Sequence, residues 1–269
     1  MKYIFILFIF CIVLYSCKSN NPVTPENNTV PTNYTKIDSV QSGNWKFVMF
    51  SATSQTLNYG YNDIGFKVYN NGAEMNSGYV KYTPVMIRPG VSGYSSPVKS
   101  AFNYNSDAGI FTGYVCFTMY SDTNSFWKGC YDYNGVEKID SIPFTVLYQL
   151  YDNIRVWTDN SSGHTFVLSL LKPLAPSVGL NDISFMLHRT DDDINYSEVD
   201  NAGMVIYPYM VGHGHTSSGN INPTSSGGGL YEGKVNFTMN SKWNVYDTIR
   251  VSGTIVTNNN PPYFNFAVH

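Results

Sequence analysis

The stretch Gly109–Met119, GIFTGYVCFTM, returns later in the chain as Gly229–Met239, GLYEGKVNFTM. Within the first copy, the apolar residues Val115, Phe117 and Met119 alternate with polar or smaller ones. A period of two residues is typical of a strand with one face turned inward. The two copies therefore predict β-structure, and their similarity indicates that the chain contains the same unit twice.

The repeat extends well beyond these two stretches. Further matches occur in the same order in both halves: Phe47-Val48 and Phe166-Val167, Gly60–Phe66 and Gly179–Phe185, Pro84–Met86 and Pro208–Met210, Trp127 and Trp243, Phe144–Val146 and Phe264–Phe266. Matches that keep one order over this length predict a tandem duplication. We place the two units at residues 44–149 and 163–269.

Turn residues separate the alternating runs, as in NNG at 70–72, NG at 134–135 and DDD at 191–193. No stretch keeps an apolar stripe of period 3.6 over three helical turns, so helices are not expected. Short strands in units of roughly 105 residues are typical of β-sandwiches of immunoglobulin size. The predicted fold class is all-β, with two tandem immunoglobulin-like β-sandwich domains.

The composition narrows the class of protein. The chain has 269 residues, of which 43% are hydrophobic, so it can bury a substantial core. Charged residues make up 13%, against about 25% in an average soluble domain, while aromatics reach 16%. The formal net charge is -3 and no cluster of lysine and arginine occurs. Nucleic acid is therefore excluded as a partner, because no basic surface is available to bind phosphates.

The first 17 residues indicate export. Lys2 supplies a positive charge, and the apolar run at 3–15 is shorter than the roughly 20 residues that cross a bilayer, so it fits a signal peptide. The sequence LYSC that follows resembles a bacterial lipobox, which predicts lipidation of Cys17. The alternative is an ordinary signal peptide with an incidental cysteine. Residues 18–43, rich in Pro, Asn and Thr, then form a flexible tether.

Anchoring through this lipid defines the predicted location and the first predicted partner. Each buried CH₂ group contributes about 0.8 kcal/mol, so several acyl chains would hold the protein at the membrane. We expect a lipoprotein of the bacterial cell envelope, in the periplasm or on the outer surface.

Two cysteines remain for the folded body. If Met119 and Trp127 face each other in a hairpin, Cys116 and Cys130 are also directly opposite, on the face turned away from the core. An exported protein meets an oxidising compartment, in which thiols can pair, provided that the geometry suits a disulfide. The sequence leaves open a disulfide between Cys116 and Cys130 or two unpaired thiols.

All five histidines lie in the second unit, and the sharpest cluster is YPYMVGHGH at 207–215. His213 and His215 project to the same side of an extended segment. Sulfur from Met210 and Met239 would add the soft ligands that favour Cu(I), so these four residues are the predicted copper site. The alternatives are a solvated loop for the histidines and core positions for the methionines, since the first unit keeps its methionines without any histidine.

The repeated motifs also resemble a known family. Each unit is similar to the YtkA-like domain, related to the FixH-like exported proteins, through these residues of the second copy: Gly179–Asn181, Met210 followed by His213, Gly229–Tyr231, Phe237–Met239 and Trp243. The first unit keeps this frame but lacks histidine and has four extra residues before Trp127. The resemblance implies an immunoglobulin-like sandwich in the cell envelope, often linked to copper or cytochrome oxidase assembly, with no established catalysis.

Two hypotheses for function follow. The first is a copper-binding or copper-delivery lipoprotein that acts through the second unit, with a metal-receiving envelope protein as partner. The alternative is a non-catalytic structural or interaction lipoprotein of the cell surface that binds no metal and docks through tyrosine-rich faces. An enzyme is not expected, because the sequence contains none of the nucleophile, zinc-protease, phosphate-loop or dinucleotide motifs.

Overall fold

The computed structural model describes residues 33–136, 138–141, 143–149, 153–258 and 260–269. These residues form strands joined by turns, and the predicted all-β fold is confirmed. The predicted signal peptide, Cys17 and the first part of the predicted tether lie outside the described residues.

None of the described segments forms a helix with the length and apolarity needed to cross a lipid bilayer.

The first domain consists of a ten-stranded antiparallel sheet and a short parallel pair of strands, Leu57–Asn58 with Val146–Leu147. Its strands are β1 (Thr35–Ser42), β2 (Trp45–Ser51), β3 (Leu57–Asn58), β4 (Gly60–Asn70), β5 (Ala73–Glu74), β6 (Tyr79–Arg88), β7 (Val91–Tyr94), β8 (Phe102–Asn105), β9 (Ile110–Phe117), β10 (Phe126–Tyr133), β11 (Lys138–Asp140) and β12 (Val146–Leu147). The main sheet has the order β1-β2-β4-β9-β8-β6-β10-β11. Because β8 joins the two layers and β1 lies against β11, the sandwich is closed like a barrel.

The second domain keeps its two layers separate. Its strands are β13 (Ile154–Thr158), β14 (Thr165–Lys172), β15 (Gly179–Thr190), β16 (Tyr196–Glu198), β17 (Gly203–Met210), β18 (His215–Thr216), β19 (Ile221–Gly227), β20 (Leu230–Phe237), β21 (Lys242–Val251), β22 (Thr254–Ile255) and β23 (Tyr263–Ala267). One sheet has the order β13-β14-β15-β20-β19, and the other has β18-β17-β21-β22 with β23 also paired to β21.

The repeated motifs occupy equivalent strands in the two domains. The neighbours β2-β4-β9 of the first domain correspond to β14-β15-β20 of the second, and the pair β6-β10 corresponds to β17-β21. Trp127 and Trp243 are fully buried at matching places in the two cores. Their burial beside alternating apolar residues explains why the same short motifs mark both units.

The strands extend further than the predicted unit boundaries. Thr35–Ser42, which the sequence assigned to the flexible tether 18–43, form β1 and pair along β2. Ile37 and Val40 pack against the core of the first domain, and this burial orders the segment. Ile154–Thr158 likewise form β13, ahead of the predicted start at 163. Among the described residues, the first strand of the first domain therefore begins at Thr35 and that of the second domain at Ile154.

The predicted hairpin that brings Cys116 opposite Cys130 is wrong. Strand β9 pairs with β4 and β8, whereas β10 pairs with β6 and β11. Cys116 consequently lies opposite Tyr61, and Cys130 lies beside Asp140, whose carboxylate accepts a hydrogen bond from Cys130 Sγ at 3.1 Å. No disulfide joins the two cysteines.

An apolar cluster joins the two domains. Tyr114 and Cys116 on the outer face of β9 pack with Ile154, Val167 and Met186 of the second domain. Burial raises the pKa of the Cys116 thiol to about 12, so it is un-ionised at neutral pH and contributes packing rather than thiolate chemistry.

The backbone of Gly60 in the first domain also lies close to the Asn153 side chain across this junction. Gly60 has φ +92°, and a Cβ atom at that position would lie 2.3 Å from Asn153 Oδ1 of the second domain. The positive φ favours glycine at this position, while the close Asn153 atom is the end of a flexible side chain.

A polar network continues the junction from the apolar cluster. The Tyr114 hydroxyl donates to Glu198 Oε1 at 2.8 Å and lies 2.9 Å from His188 Nε2. Lys99 Nζ donates to the same Glu198 oxygen at 3.2 Å. Because the only phenolic proton points to Glu198, we assign the His188 proton to Nε2, from which it is donated to the Tyr114 oxygen. Both domains therefore contribute charged and aromatic groups to one connected junction.

Candidate binding sites

The predicted copper ligands lie at one end of the second domain. The rings of His213 and His215 have centroids 6.4 Å apart, and the His215 ring meets the Trp243 ring edge-on at 6.0 Å. His215 pairs with Met210 across β17 and β18, and Met210 pairs with Trp243 across β17 and β21. Three of these side chains thus form a row across neighbouring strands, with His213 beyond it on an exposed turn.

The two predicted sulfur ligands have different environments. Met210 is fully buried in the core of the second domain, which fits the core alternative. Met239 does not take the core position offered as the alternative to copper ligation, because β20 ends at Phe237 and Met239 is 44% exposed. Its carbonyl accepts a hydrogen bond from Trp243 Nε1 at 3.1 Å. The structure therefore brings Met210 beside His215, and it gives Met239 a backbone role next to Trp243.

Within the described ranges, no group of three or more histidine, cysteine, aspartate or glutamate side chains converges as metal ligands do.

The equivalent end of the first domain carries a cleft of about 270 Å³. Beneath this cleft, Met86 and Trp127 form a buried pair across two strands, equivalent to Met210 and Trp243 beside the histidines of the second domain. Trp127 Nε1 also donates to the Met119 carbonyl, at 3.2 Å. The lining side chains are those of Tyr59, Met86, Arg88, Thr118, Met119, Tyr120, Asp122 and Ser125.

Aromatic side chains form one rim of this cleft. The Tyr59 and Tyr120 rings meet edge-to-face with centroids 6.2 Å apart, and Tyr120 meets Tyr148 in the same way at 5.1 Å. Tyr120 is 47% exposed and Tyr148 is 58% exposed. Rings held in contact with one another and still open to solvent present a ready surface for a ligand.

One acidic and one basic side chain, Asp122 and Arg88, also line the cleft. The Asp122 carboxylate accepts the Asn124 backbone N–H at 2.7 Å. Hydrogen bonds from Asn124 and Ser125, together with the nearby Arg88 guanidinium, hold the pKa of Asp122 below its ordinary value. The carboxylate is therefore ionised at neutral pH, and the exposed Arg88 supplies the opposite charge.

A tyrosine row crosses the outer face of the second domain. Tyr207, Tyr246 and Tyr263 are cross-strand neighbours on β17, β21 and β23. Tyr246 and Tyr263 have ring centroids 4.9 Å apart, and Tyr207 is 51% exposed. Val205, 48% exposed, extends the same face.

Sequence reasoning missed both the cleft and the detail of the tyrosine row. Tyr59, Arg88 and Tyr120 are far apart in sequence and meet only through the strand pairing. One signal was present: the four residues that the first unit has in excess before Trp127, Asp122–Ser125, form the turn that carries the acidic residue of the cleft. For the tyrosine row, the available signal was the alternation of Val205, Tyr207 and Tyr209 along one strand.

No protein-family model and no curated protein matches the chain. Among solved structures, it is similar to the Escherichia coli adhesin FdeC, with 16% identity over 86% of this chain and 66% of that one, and a TM-score of 0.27. It is also similar to domains 5–6 of the S-layer protein SbsC, with 9% identity over 88% of this chain and 98% of that one, and a TM-score of 0.30.

A third similar structure is invasin, a bacterial integrin-binding protein, with 10% identity over 83% of this chain and 39% of that one, and a TM-score of 0.26. The chain thus spans slightly less than two thirds of the adhesin chain and about two fifths of the invasin chain. At these identities and TM-scores the similarities assign no function to this chain.

Proposed function

We propose that this chain is a non-catalytic interaction protein of a bacterial cell surface, held at the membrane by a lipid on Cys17. The observation that carries the proposal is the tyrosine row of Tyr207, Tyr246 and Tyr263. The anchor is argued from the LYSC motif at 14–17 alone. Membership of the YtkA-like family likewise stays a prediction from short motifs.

The chemistry of the tyrosine row supports docking. The three rings lie on adjacent strands, roughly 4.8 Å apart, and Val205 continues the surface. Aromatic side chains are enriched at protein interfaces because each buries a large apolar area while its hydroxyl can still hydrogen-bond. The outer faces of sheets in soluble proteins are usually polar, so a clustered exposed aromatic face indicates a binding surface.

The junction between the domains supports the same function. The cluster around Cys116 and the network around Tyr114, Glu198 and His188 hold the two sandwiches together. A partner that contacts both domains would meet a preorganised surface, which lowers the entropic cost of binding.

We expect the double variant Tyr207→Ala/Tyr246→Ala to lose about tenfold in partner capture, because central aromatic residues carry much of the energy of an interface. The measurement immobilises the full chain and quantifies the bound component from a detergent-solubilised envelope fraction. Tyr94→Ala, an exposed tyrosine on β7 of the other domain, is the matched control and should bind as the wild type does. Equal capture by the double variant, or no capture by the wild type, would contradict the proposal.

A second candidate function is Cu(I) binding at the histidine end of the second domain. The specific observation is that the rings of His213 and His215 approach within 6.4 Å, with Met210 next to His215 across the strands. Metal–imidazole bonds are about 2.0–2.1 Å long, so one ion could bridge these rings after a small adjustment. His215 Nδ1 faces the Thr216 carbonyl at 3.2 Å, which leaves Nε2 as the nitrogen for a metal.

If copper is bound, Cu(I) should quench the fluorescence of Trp243, which lies against His215, with one ion per chain. We expect His213→Ala/His215→Ala to abolish this saturable quenching. His164→Ala, which removes a histidine that pairs with Asp191 elsewhere in the domain, is the control and should leave it intact. An unchanged Cu(I) titration in the double variant would remove copper as a function of this site.

A further inference from the structure

We propose that the cleft in the first domain binds a neutral oligosaccharide of β-linked, all-equatorial pyranose rings, stacked on Tyr120 beside Tyr59 and hydrogen-bonded to Arg88 and Asp122. This site lies apart from the tyrosine row of the second domain, and the proposal does not depend on that row.

The size and lining of the cleft fit a small amphipathic ligand. At about 270 Å³, the cleft is close to the lower limit of the roughly 300–1,000 Å³ typical of small-molecule sites. Its lining combines thioether and aromatic side chains with polar and charged ones. A sugar ring has the same division, because its faces carry C–H bonds and its edge carries hydroxyl groups.

The tyrosines match the faces of such a ring. The negative face of an aromatic ring attracts the weakly positive C–H groups of a ligand. In β-1,4-linked glucose or N-acetylglucosamine, all ring substituents are equatorial, so both faces of each sugar expose only C–H bonds. Tyr148, in contact with Tyr120 and 58% exposed, continues the surface outside the cleft. An oligosaccharide can therefore extend beyond the sugar that occupies the cleft.

The charges favour a neutral ligand over an acidic polymer or a fatty chain. Arg88 and Asp122 contribute one charge of each sign to the lining of the cleft. An anionic ligand would gain from Arg88 and lose a comparable amount from Asp122. A purely apolar chain would desolvate both charges without replacing their hydrogen bonds. Sugar hydroxyl groups can donate to the carboxylate and accept from the guanidinium.

The walls of the cleft are held in place before any ligand arrives. Asp122 and Ser125 exchange backbone hydrogen bonds at 3.1 and 3.4 Å, which closes the turn between them. The Ser121 N–H donates to the Val146 carbonyl at 2.9 Å. The indole N–H of the buried Trp127 donates a hydrogen bond to the Met119 carbonyl. Such preorganisation reduces the ordering cost of binding.

The second domain provides an internal contrast. It shares the buried pair of methionine and tryptophan, but it lacks the turn Asp122–Ser125, and Asn240 occupies the sequence position that matches Tyr120. The residues that distinguish the first domain, Tyr120 and the turn Asp122–Ser125, therefore include several that line the cleft. Both copies of the sandwich keep the buried methionine and tryptophan at this end, and the exposed residues above them differ, so the two ends are expected to bind different ligands.

The test is isothermal titration calorimetry of the full chain with two probes, cellotetraose and tetra-N-acetylchitotetraose. We expect at least one of them to bind, and we expect Tyr120→Ala and Arg88→Ala each to weaken that binding by about tenfold, the size of one lost stacking or charged contact. Tyr120→Phe keeps the ring and should stay within about threefold of the wild type. Tyr207→Ala, in the tyrosine row, should have no effect.

Both side chains are exposed, so these variants should keep the melting temperature of the wild type. If Tyr120→Ala alters the melting temperature, Arg88→Ala still tests the site. The proposal is overturned if neither tetrasaccharide binds, or if one binds equally to the wild type, Tyr120→Ala and Arg88→Ala. Loss of binding in Tyr207→Ala alone would place the sugar on the tyrosine row and would also overturn it.

Discussion

Replacing Trp243 by alanine is expected to lower the free energy of unfolding by about 3–5 kcal/mol, the usual cost of removing a buried tryptophan. Trp243 is fully buried, and its ring packs against Phe237 with centroids 5.7 Å apart. It lies between Met210 and Phe266 on the neighbouring strands. The variant also removes the donor to the Met239 carbonyl, so the loop after β20 loses a hydrogen bond.

This loss is large compared with the stability of an ordinary domain, which is about 5–15 kcal/mol. Urea denaturation followed by far-ultraviolet circular dichroism measures it, because the signal does not depend on the deleted fluorophore. Val205→Ala, on the exposed face of the same sheet, serves as the control and should change stability by about 0.5 kcal/mol or less. A cost below about 1 kcal/mol for Trp243→Ala would show that the side chain is not the centre of this core.

The fold could be predicted because its strongest signals are local or repeated. Alternation in runs such as Val115 and Phe117 marks the strands, and both side chains are fully buried. The repeat then assigns the same strands to both domains without any knowledge of pairing. The strand Thr35–Ser42 was not predicted, because the composition of this segment resembles that of a linker. Only its pairing with β2 shows that it is a strand.

Strand pairing itself could not be deduced in the same way. Consecutive strands often form hairpins, and this tendency led to the wrong expectation that β9 pairs with β10. In the structure β10 lies in the opposite layer, next to β6, and so Cys116 and Cys130 are separated. Such crossovers depend on how the two layers pack, which no short stretch of sequence encodes.

The two candidate sites differ in how far apart in sequence their residues lie. The sequence predicted that His213 and His215 share one side of an extended segment, whereas residues 211–214 form a turn, and the two rings still come within 6.4 Å of each other. The cleft combines Tyr59, Arg88 and Tyr120 from three separate parts of the chain, and it depends on the strand order. Sequence reasoning therefore identified residues that one local segment brings together and missed the residues that only the fold brings together.

The second large effect is expected in acid at the junction between the domains. His188 is fully buried, and burial lowers its pKa to about 4, with Lys99 lowering it further and Glu198 opposing the shift. Its Nε2–H faces the Tyr114 oxygen, while its Nδ1 is buried without a hydrogen-bond partner among the described residues. A proton added to Nδ1 would therefore place an unpaired charge inside the protein.

The direction of the pH dependence follows from this pKa. The ordinary value for histidine is about 6.5, so between that value and about 4 the unfolded chain binds a proton that the folded chain does not. Stability is then fully present above pH ~6.5 and falls as the pH drops towards 4. At about 1.36 kcal/mol per pKa unit, the loss reaches about 3 kcal/mol once the pH is below the folded pKa.

Other groups titrate in the same range, so the test compares two proteins. Asp247 is buried and its pKa is raised, which gives it the opposite dependence: the stability it contributes is lost as the pH rises. His188→Gln keeps a donor near the Nε2 position and removes the titrating ring. The difference in unfolding free energy between wild type and His188→Gln, measured by urea denaturation at each pH, isolates His188 because Asp247 is common to both.

We expect that difference to shift by about 3 kcal/mol in favour of the variant between pH 7.5 and pH 4. A difference that stays constant across this range would mean that His188 is hydrated or paired in the folded protein, contrary to its place beside Tyr114.

Tyr114→Phe provides a second comparison, because it removes the hydroxyl that joins His188 to Glu198 and keeps the ring. If the polar network holds the two domains together, Tyr114→Phe should weaken the junction at neutral pH, where the hydroxyl still bridges both side chains.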